Sequence, residues 1–433
     1  MAAPEVQRIG KYEVRKLIGE GATSSIYLAW DPFAQREVAV KQLRRDVLRD
    51  PVRGRLFRQL FLNEASFAGR LHHPHIVPIH DAVVDEDNAY VVMDFVPGGT
   101  LANLTRPGSL ASFERVIEII FKATRALDYA FHQGIIHRDI KPGNILLTSA
   151  TGSDIRISDF GAALHTARET TQISGVGSPA YMSPQQVREV PLDHRTDIYS
   201  LGVVMFELLT GHLPFESYSD YGLLYRIAND DPPLPSELRP AVPPALDAIV
   251  RRATAKDVER RYQSWNEFSH DLAEALQNLG TTPEGSTTAD AGKFEALRAM
   301  IFFRDFTDAE LWEVIGMARF ERVTEGTQII REGEGGDAFY FVLEGEAQVK
   351  KRGRLLNVLS AGECFGEIAV FSAAAGVRSA SVEAITDLEL VIVRAHALRR
   401  ASDVCRMHFY KAFLEVLATR LSMASARIAG LSL

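Results

Sequence analysis

Cysteine is nearly missing from this chain: among 433 residues only Cys364 and Cys405 carry a thiol. Two thiols cannot build a disulfide framework. They point to a reducing compartment, and to buried fillers rather than reactive groups. Long apolar runs are missing too. The most apolar run, Leu201–Leu209 (LGVVMFELL), is about half of the ~20 residues a membrane-spanning helix needs, and it carries a Glu. The opening MAAPEVQRIG has no apolar core of the kind that marks a secretory signal. Basic residues are not in excess. There are 48 Lys and Arg against 56 Asp and Glu, a net charge of −8, which argues against a dedicated binder of nucleic acid or anionic membrane. These absences describe a soluble, cytoplasmic chain that takes neither nucleic acid nor membrane as partner.

What is present can bury substantial cores. Hydrophobic residues make up 46% and charged residues 24%, and the length suits two or three domains. One stretch changes character: residues 280–292 read GTTPEGSTTADAG, rich in Thr, Gly and Ser with no periodic apolar pattern, as a linker does. The expected division is a first domain over residues 10–278, a linker over 279–293 and a second domain over 294–433.

The first block carries acids, amides and bases beside short strands. LIGEGATSSIYLAW (17–30) reads as two strands joined through Gly19 and Gly21, a hairpin whose backbone N–H groups can approach phosphates because no Cβ intervenes. In EVAVK (37–41), alternation places Ala39 and Lys41 on one face. The helical stripe of RQLFLNEASFAGRL (58–71) holds Glu64 near its apolar side, where a Lys would be its expected partner. IIHRDIKPGNILL (135–147) and IRISDFGAAL (155–164) each set an Asp beside an apolar strand. Asn144 and Asp159 are hard oxygen donors that suit Mg²⁺. Asp139 is then left to orient a hydroxyl and accept its proton.

In this order the pieces resemble the protein kinase family from about Tyr12 to Leu276. The resemblance implies a two-lobed kinase fold using ATP with Mg²⁺ (or Mn²⁺). Lys41 would hold the ATP phosphates and pair with Glu64. Asp139 would be the catalytic base, and Lys141 would neutralise the γ-phosphate and mark the Ser/Thr branch. Asn144 and Asp159 would bind metal. Gly19, Gly21, Ile26 and Ala39 would surround the nucleotide, with Asp94–Val96 as the hinge and Met93 behind it. The style of these motifs is bacterial. Thr170 and Thr171 would be the regulatory phosphosites, with Arg138 as the partner of the added phosphate, and Asp197 would be a structural anchor. The third glycine of the usual loop is Ser24 here. The usual Ala-Pro-Glu is Ser183-Pro184-Gln185, which leaves Arg261 without a neutralising carboxylate and implies a softer C-lobe.

In the second block, GTQIIREGEGGDAFYFVLEGEAQV (326–349) alternates in short runs broken by glycine turns, a jelly-roll or barrel pattern. CFGEIAVFSAAAGVRSASV (364–382) is small and apolar except for Glu367 and Arg378. A helix begun at GEI could aim N–H groups at an anion that the Arg378 fork also reaches, while Glu367 accepts from a sugar hydroxyl. This block resembles the cyclic-nucleotide-binding domain. The expected fold class is therefore multidomain α+β: a two-lobed kinase followed by a β-jelly-roll with flanking helices. By the resemblance Glu367 takes the ribose 2′-OH. Arg378 takes the cyclic phosphate, with Ser379 and the amides of Gly366 to Ile368 assisting, and the ligand is cAMP or cGMP. Finally, Leu414, Leu421 and Ile428 recur every seven residues, as do Leu417, Ala424 and Leu431. Such a seam can pack on the barrel, close over the base or join a homodimer, and packing is the expected use. The function expected is a Ser/Thr protein kinase acting on protein hydroxyls under cyclic-nucleotide control. The alternatives are a pseudokinase scaffold that reports the nucleotide to a partner, and a constitutive kinase whose last domain only dimerises.

Overall fold

The computed structural model describes residues 7–21, 23–50, 54, 58, 61, 62, 66, 70–85, 88–106, 108–160, 164, 165, 179–279, 290–368 and 377–430. The chain divides into two compact units, Met1–Thr282 and Pro283–Leu433. Among the described residues, no helix is long and apolar enough to cross a membrane.

The first unit opens with a six-stranded sheet. Its strands are β1 (Arg8–Ile9), β2 (Tyr12–Glu20), β3 (Ser24–Asp31), β4 (Arg36–Leu43), β5 (Ile79–Val84) and β6 (Ala89–Asp94), in the order β1-β2-β3-β4-β6-β5. Alternation gives the sheet two apolar faces. Ala39, Leu43, Val91 and Met93 join one buried cluster, while Val38, Val40, Tyr90 and Val92 join the other. The Asp31 carboxylate accepts from the backbone N–H of Phe33 and Ala34 and so closes the β3–β4 turn. The rest of the unit is helical. Phe113–His132 starts at a Ser112 cap and buries a continuous apolar face. Arg195–Thr210 holds the LGVVMFELL run, where every residue but Glu207 is buried, so that run is a core helix of this unit. Between these helices lie three short antiparallel strands, β7 (Ile135–Ile136), β8 (Ile145–Leu147) and β9 (Ile155–Ile157), followed by β10 (Leu164–His165). β8 pairs with β9 and β10 with β7. These strands carry the motif loops on their ends.

Helices reach Leu279 and resume at Asp290, so residues 290–293, expected within the linker, are helical. The second unit is built on two four-stranded sheets. One has the order β11 (Arg319–Val323), β18 (Leu388–Arg394), β13 (Ala338–Glu344), β16 (Cys364–Phe365). The other has the order β12 (Gln328–Ile330), β17 (Ser381–Ala384), β14 (Ala347–Lys351), β15 (Arg354–Leu359). Their inward residues, among them Val342, Leu359, Phe365, Val382 and Leu390, form one core. Helices Asp290–Ala299, Asp308–Met317 and Asp403–Gly430 flank the barrel. A ring cluster of Phe302, Phe303, Phe341, Phe409 and Phe413 fastens them to it. Cys364 and Cys405 are both buried, and burial pushes the Cys364 thiol up to about 12, far from thiolate reactivity.

Candidate functional site

The β3–β4–β6 ladder lays out one wall of a cleft. Ile26 lies opposite Lys41, and Ala39 opposite Met93. Ala39, Met93 and Val96 share a buried cluster, and half-buried Ile26 and Leu146 pack against it. Leu146 was not singled out from the sequence. Strand alternation could have found it, because β8 buries Ile145 and Leu147 and turns the residue between them to the other face. At the tip of the β2–β3 hairpin, the Gly21 N–H donates to the Ser24 carbonyl at 2.8 Å. A Cβ on Gly19 or Gly21 would meet nothing closer than 3.5 Å. Packing inside the hairpin therefore does not demand these glycines, and a ligand's close approach gives them a reason. Asp94 ends β6. Its carboxylate is held by His80 Nε2 and Arg156 Nη1, both at 2.6 Å, so only its backbone is left for a hinge role.

The polar groups converge at the strand ends. Lys41 Nζ donates to Asp159 Oδ1 at 2.7 Å. β8 and β9 run antiparallel with Ile145 opposite Ile157, which puts Asn144 and Asp159 at the same end. The Ser158 N–H donates to the Asn144 carbonyl at 2.9 Å. Asn144 Nδ2 donates to the Asp139 carbonyl at 2.8 Å and to its Oδ2 at 3.1 Å, and Lys141 Nζ reaches the same Oδ2 at 2.7 Å. This leaves the Asn144 amide oxygen pointing away from its donor contacts. Together with the Asp159 carboxylate it forms a hard-oxygen set that fits Mg²⁺.

Two devices hold the loops. Buried Asp197 accepts from the backbone N–H of His137 at 2.7 Å and of Arg138 at 2.8 Å. His137 Nε2 donates to the Ser158 carbonyl at 3.0 Å. Arg138 and Asp159 sit at φ +69° and +65°, left-handed positions that cost about 1–3 kcal/mol each and persist only where surroundings enforce them. Burial raises the Asp197 carboxyl above its ordinary value, against the pull of His137 and the two amides. Burial also pushes Asp159 up, but Lys41 more than reverses this and holds the carboxyl below the ordinary range. Glu64, the expected partner of Lys41, and the expected phosphosites Thr170 and Thr171 lie outside the described residues.

Gln185 and Arg261 meet as expected. Arg261 Nη1 and Nη2 each approach Gln185 Oε1 at 3.4 Å, a weak contact. The buried guanidinium relies instead on carbonyls, donating to Arg195 at 2.6 Å and to Ala255 at 2.8 and 3.2 Å. Burial lowers Arg261 to about 10. A carboxylate at position 185 would accept from both Nη atoms. Gln185→Glu is therefore expected to stabilise the first unit by ~1–2 kcal/mol, or about 2–8 °C in Tm. Thermal unfolding measures this, and an unchanged or lower Tm contradicts it.

In the second unit, Glu367 and Arg378 are 2% and 6% exposed and line one cavity of about 460 Å³. Gly366, Ile368, Ser379 and Ala380 share its wall with apolar Ile330, Val349, Leu359 and Val382. The volume falls within the ~300–1,000 Å³ common for small-molecule sites. Glu367 and Ile368 are helical. Arg378 is fixed from three sides. Its N–H donates to the Glu334 carbonyl at 2.8 Å, its carbonyl accepts from the Gly333 N–H at 2.9 Å, and its Nη1 donates to the Gly366 carbonyl at 2.9 Å. The guanidinium also lies 5.7 Å from the Tyr340 ring centre.

Two participants were missed in the sequence. Gly336, in the GEGGD turn, passes so close that a Cβ there would sit 2.0–2.3 Å from the Arg378 guanidinium. The doubled glycine was its only signal. Arg420, on the Asp403–Gly430 helix, donates to Glu367 Oε1 at 2.7 Å and to the Cys364 carbonyl. Nothing local to Arg420 announces a partner 53 residues away. The same helix corrects the expected use of the heptad seam. Cys405, Phe409 and Phe413 face the barrel, while Leu414, Leu417 and Leu421 are exposed.

A family model for the protein kinase domain matches residues 12–273, more than half of the chain, and the chain belongs to the protein kinase family. A second family model, for the cyclic nucleotide-binding domain, matches residues 320–403. Similar proteins include a "Probable serine/threonine-protein kinase" of Streptomyces coelicolor, 38% identical over 65% of this chain and 42% of that protein. The serine/threonine-protein kinase PknB of Mycobacterium tuberculosis is 39% identical over 63% of this chain and 44% of its own length. A "Probable serine/threonine-protein kinase" of Clostridium acetobutylicum is 35% identical over 64% and 42%. The chain thus spans less than half the length of these relatives.

Proposed function

We propose that this protein is a Ser/Thr protein kinase that transfers the ATP γ-phosphate to protein hydroxyls, and that a cyclic nucleotide bound in its second unit raises that activity. The observation that carries the first half is the meeting of Lys41 with Asp159 at 2.7 Å beside the Asp139–Lys141–Asn144 cluster. In the reaction the substrate hydroxyl oxygen attacks the γ-phosphorus, the bond to the β–γ bridging oxygen breaks, and ADP leaves with that electron pair. Asp139 accepts the hydroxyl proton. Lys141, tied to Asp139, offers its ammonium to the charge on the transferring group. Ile26, Ala39, Val96 and Leu146 enclose the adenine. Asn144 and Asp159 would hold Mg²⁺ or Mn²⁺, which supplies neutralisation of the phosphate charge.

For the second half, the support is a buried acid and a buried guanidinium on one cavity wall. Buried charges are costly unless paired. Arg378 is held by a single side-chain hydrogen bond to a carbonyl, and it suits a ring phosphate. Glu367 suits a ribose hydroxyl. The regulation is tested with the full chain, ATP, Mg²⁺ and a protein substrate, with and without cAMP or cGMP. A coupling of ~1–3 kcal/mol between the sites raises the transfer rate about 5–150-fold. Equal rates at saturating amounts of both nucleotides end the regulatory reading while leaving the kinase reading intact. Equal labelling by wild type and Asp139→Ala ends the kinase reading.

A further inference from the structure

The Asp403–Gly430 helix has two apolar stripes, and only one is used. Cys405, Phe409 and Phe413, four residues apart, are buried against the barrel. The other stripe runs through Met407, Tyr410, Leu414, Leu417 and Leu421, at alternating spacings of three and four, and these residues are 61%, 46%, 68%, 36% and 69% exposed. From Leu414 to Ser422 no side chain is buried. In the sequence the repeat goes on through Ala424, Ile428 and Leu431.

A helix owes most of its stability to packing of an apolar face, and an isolated stretch this short is marginal in water. The 28-residue helix is about 42 Å long, and its second half carries leucines that the unit does not cover. Its period is 3.5, the repeat that keeps a seam against another helix along its whole length. A bilayer surface asks for a broader apolar face with free cations along its rim. Here the rim is already neutralised within the unit. Arg406 pairs with Asp403, Lys411 with Asp305 at 2.6 Å, Glu415 with Arg304 at 2.9 Å and Arg420 with Glu367 at 2.7 Å. A seam bordered by satisfied charges has nothing to offer a charged partner and no like-charge penalty against its own copy.

We propose that this face is the contact with a second copy of the chain, the two C-terminal helices pairing as a short two-stranded coiled coil about a two-fold axis. The assignment does not rest on the kinase or nucleotide reading. Sedimentation equilibrium of the full chain is its test. The wild type is expected at twice the chain mass, and Leu414→Glu/Leu421→Glu at the monomer mass. Both positions are exposed, so circular dichroism and Tm of the dilute variant are expected to match those of the dissociated wild type. A wild type that is monomeric at every concentration overturns the proposal. So does a double variant that stays dimeric. A monomeric wild type whose Tm falls on the double substitution, or that co-floats with anionic vesicles, overturns it in favour of packing on its own chain or on a membrane.

Discussion

Asp139→Asn is expected to lower kcat for phosphate transfer by about 10²–10⁴-fold, the range for losing a positioned general base. The substitution is close to isosteric. The amide keeps an oxygen for Lys141 Nζ, and the backbone carbonyl that accepts from Asn144 Nδ2 is untouched. The loop is also held independently by Asp197 through the amides of His137 and Arg138. Stability should therefore change by less than ~1 kcal/mol, as expected where no buried network is broken. Because Asp139 acts on the hydroxyl and not on the nucleotide, the KM for ATP should stay near wild type. Lys41→Met gives the contrasting pattern. It removes the cation that holds Asp159 ionised and in place, so both ATP affinity and turnover should fall. Phosphate-transfer kinetics on the two variants read this split. An Asp139→Asn protein that keeps wild-type kcat removes the proton-acceptor role.

The catalytic set was legible because it is carried by short motifs whose neighbours are close in sequence. Asp139, Lys141 and Asn144 lie within six residues and meet in one hydrogen-bonded cluster. Asp159 joins them because β8 and β9 form a tight antiparallel pair. What escaped was set by distance or by symmetry of pattern. Arg420 reaches Glu367 across 53 residues, and an Arg on a helix face looks like any solvated charge until the barrel is closed. Gly336 looked like turn punctuation, yet its missing Cβ makes room for a guanidinium 42 residues on. The last helix carries two apolar stripes, and periodicity cannot say which one meets the barrel. The aromatic residues Phe409 and Phe413 take that place because larger rings bury more surface against Phe302 and Phe339.

Arg378→Ala is expected to weaken cyclic-nucleotide binding by about 10²–10³-fold, since truncating one partner of a buried charged contact costs ~2–5 kcal/mol. Arg378→Lys should recover only part of this, because an ammonium keeps the charge but loses the planar fork. The more informative variant is Gly336→Ala. Gly336 has no positive φ, so alanine is free to adopt its backbone, and the whole effect of the methyl group is its collision with the guanidinium at 2.0–2.3 Å. The Arg378 side chain must then shift, and its Nη1 hydrogen bond to the Gly366 carbonyl opens. Affinity should drop about tenfold, corresponding to ~1.4 kcal/mol, with every ligand-contacting side chain still present. Calorimetric titration of the full chain with cAMP and cGMP measures all three variants, and thermal unfolding verifies that each is folded. If Gly336→Ala binds like wild type while Arg378→Ala does not, the Gly336–Arg378 packing is irrelevant to the site. If Arg378→Ala itself binds like wild type, the buried guanidinium is a strut of the barrel and the cavity beside Glu367 is not a phosphate site.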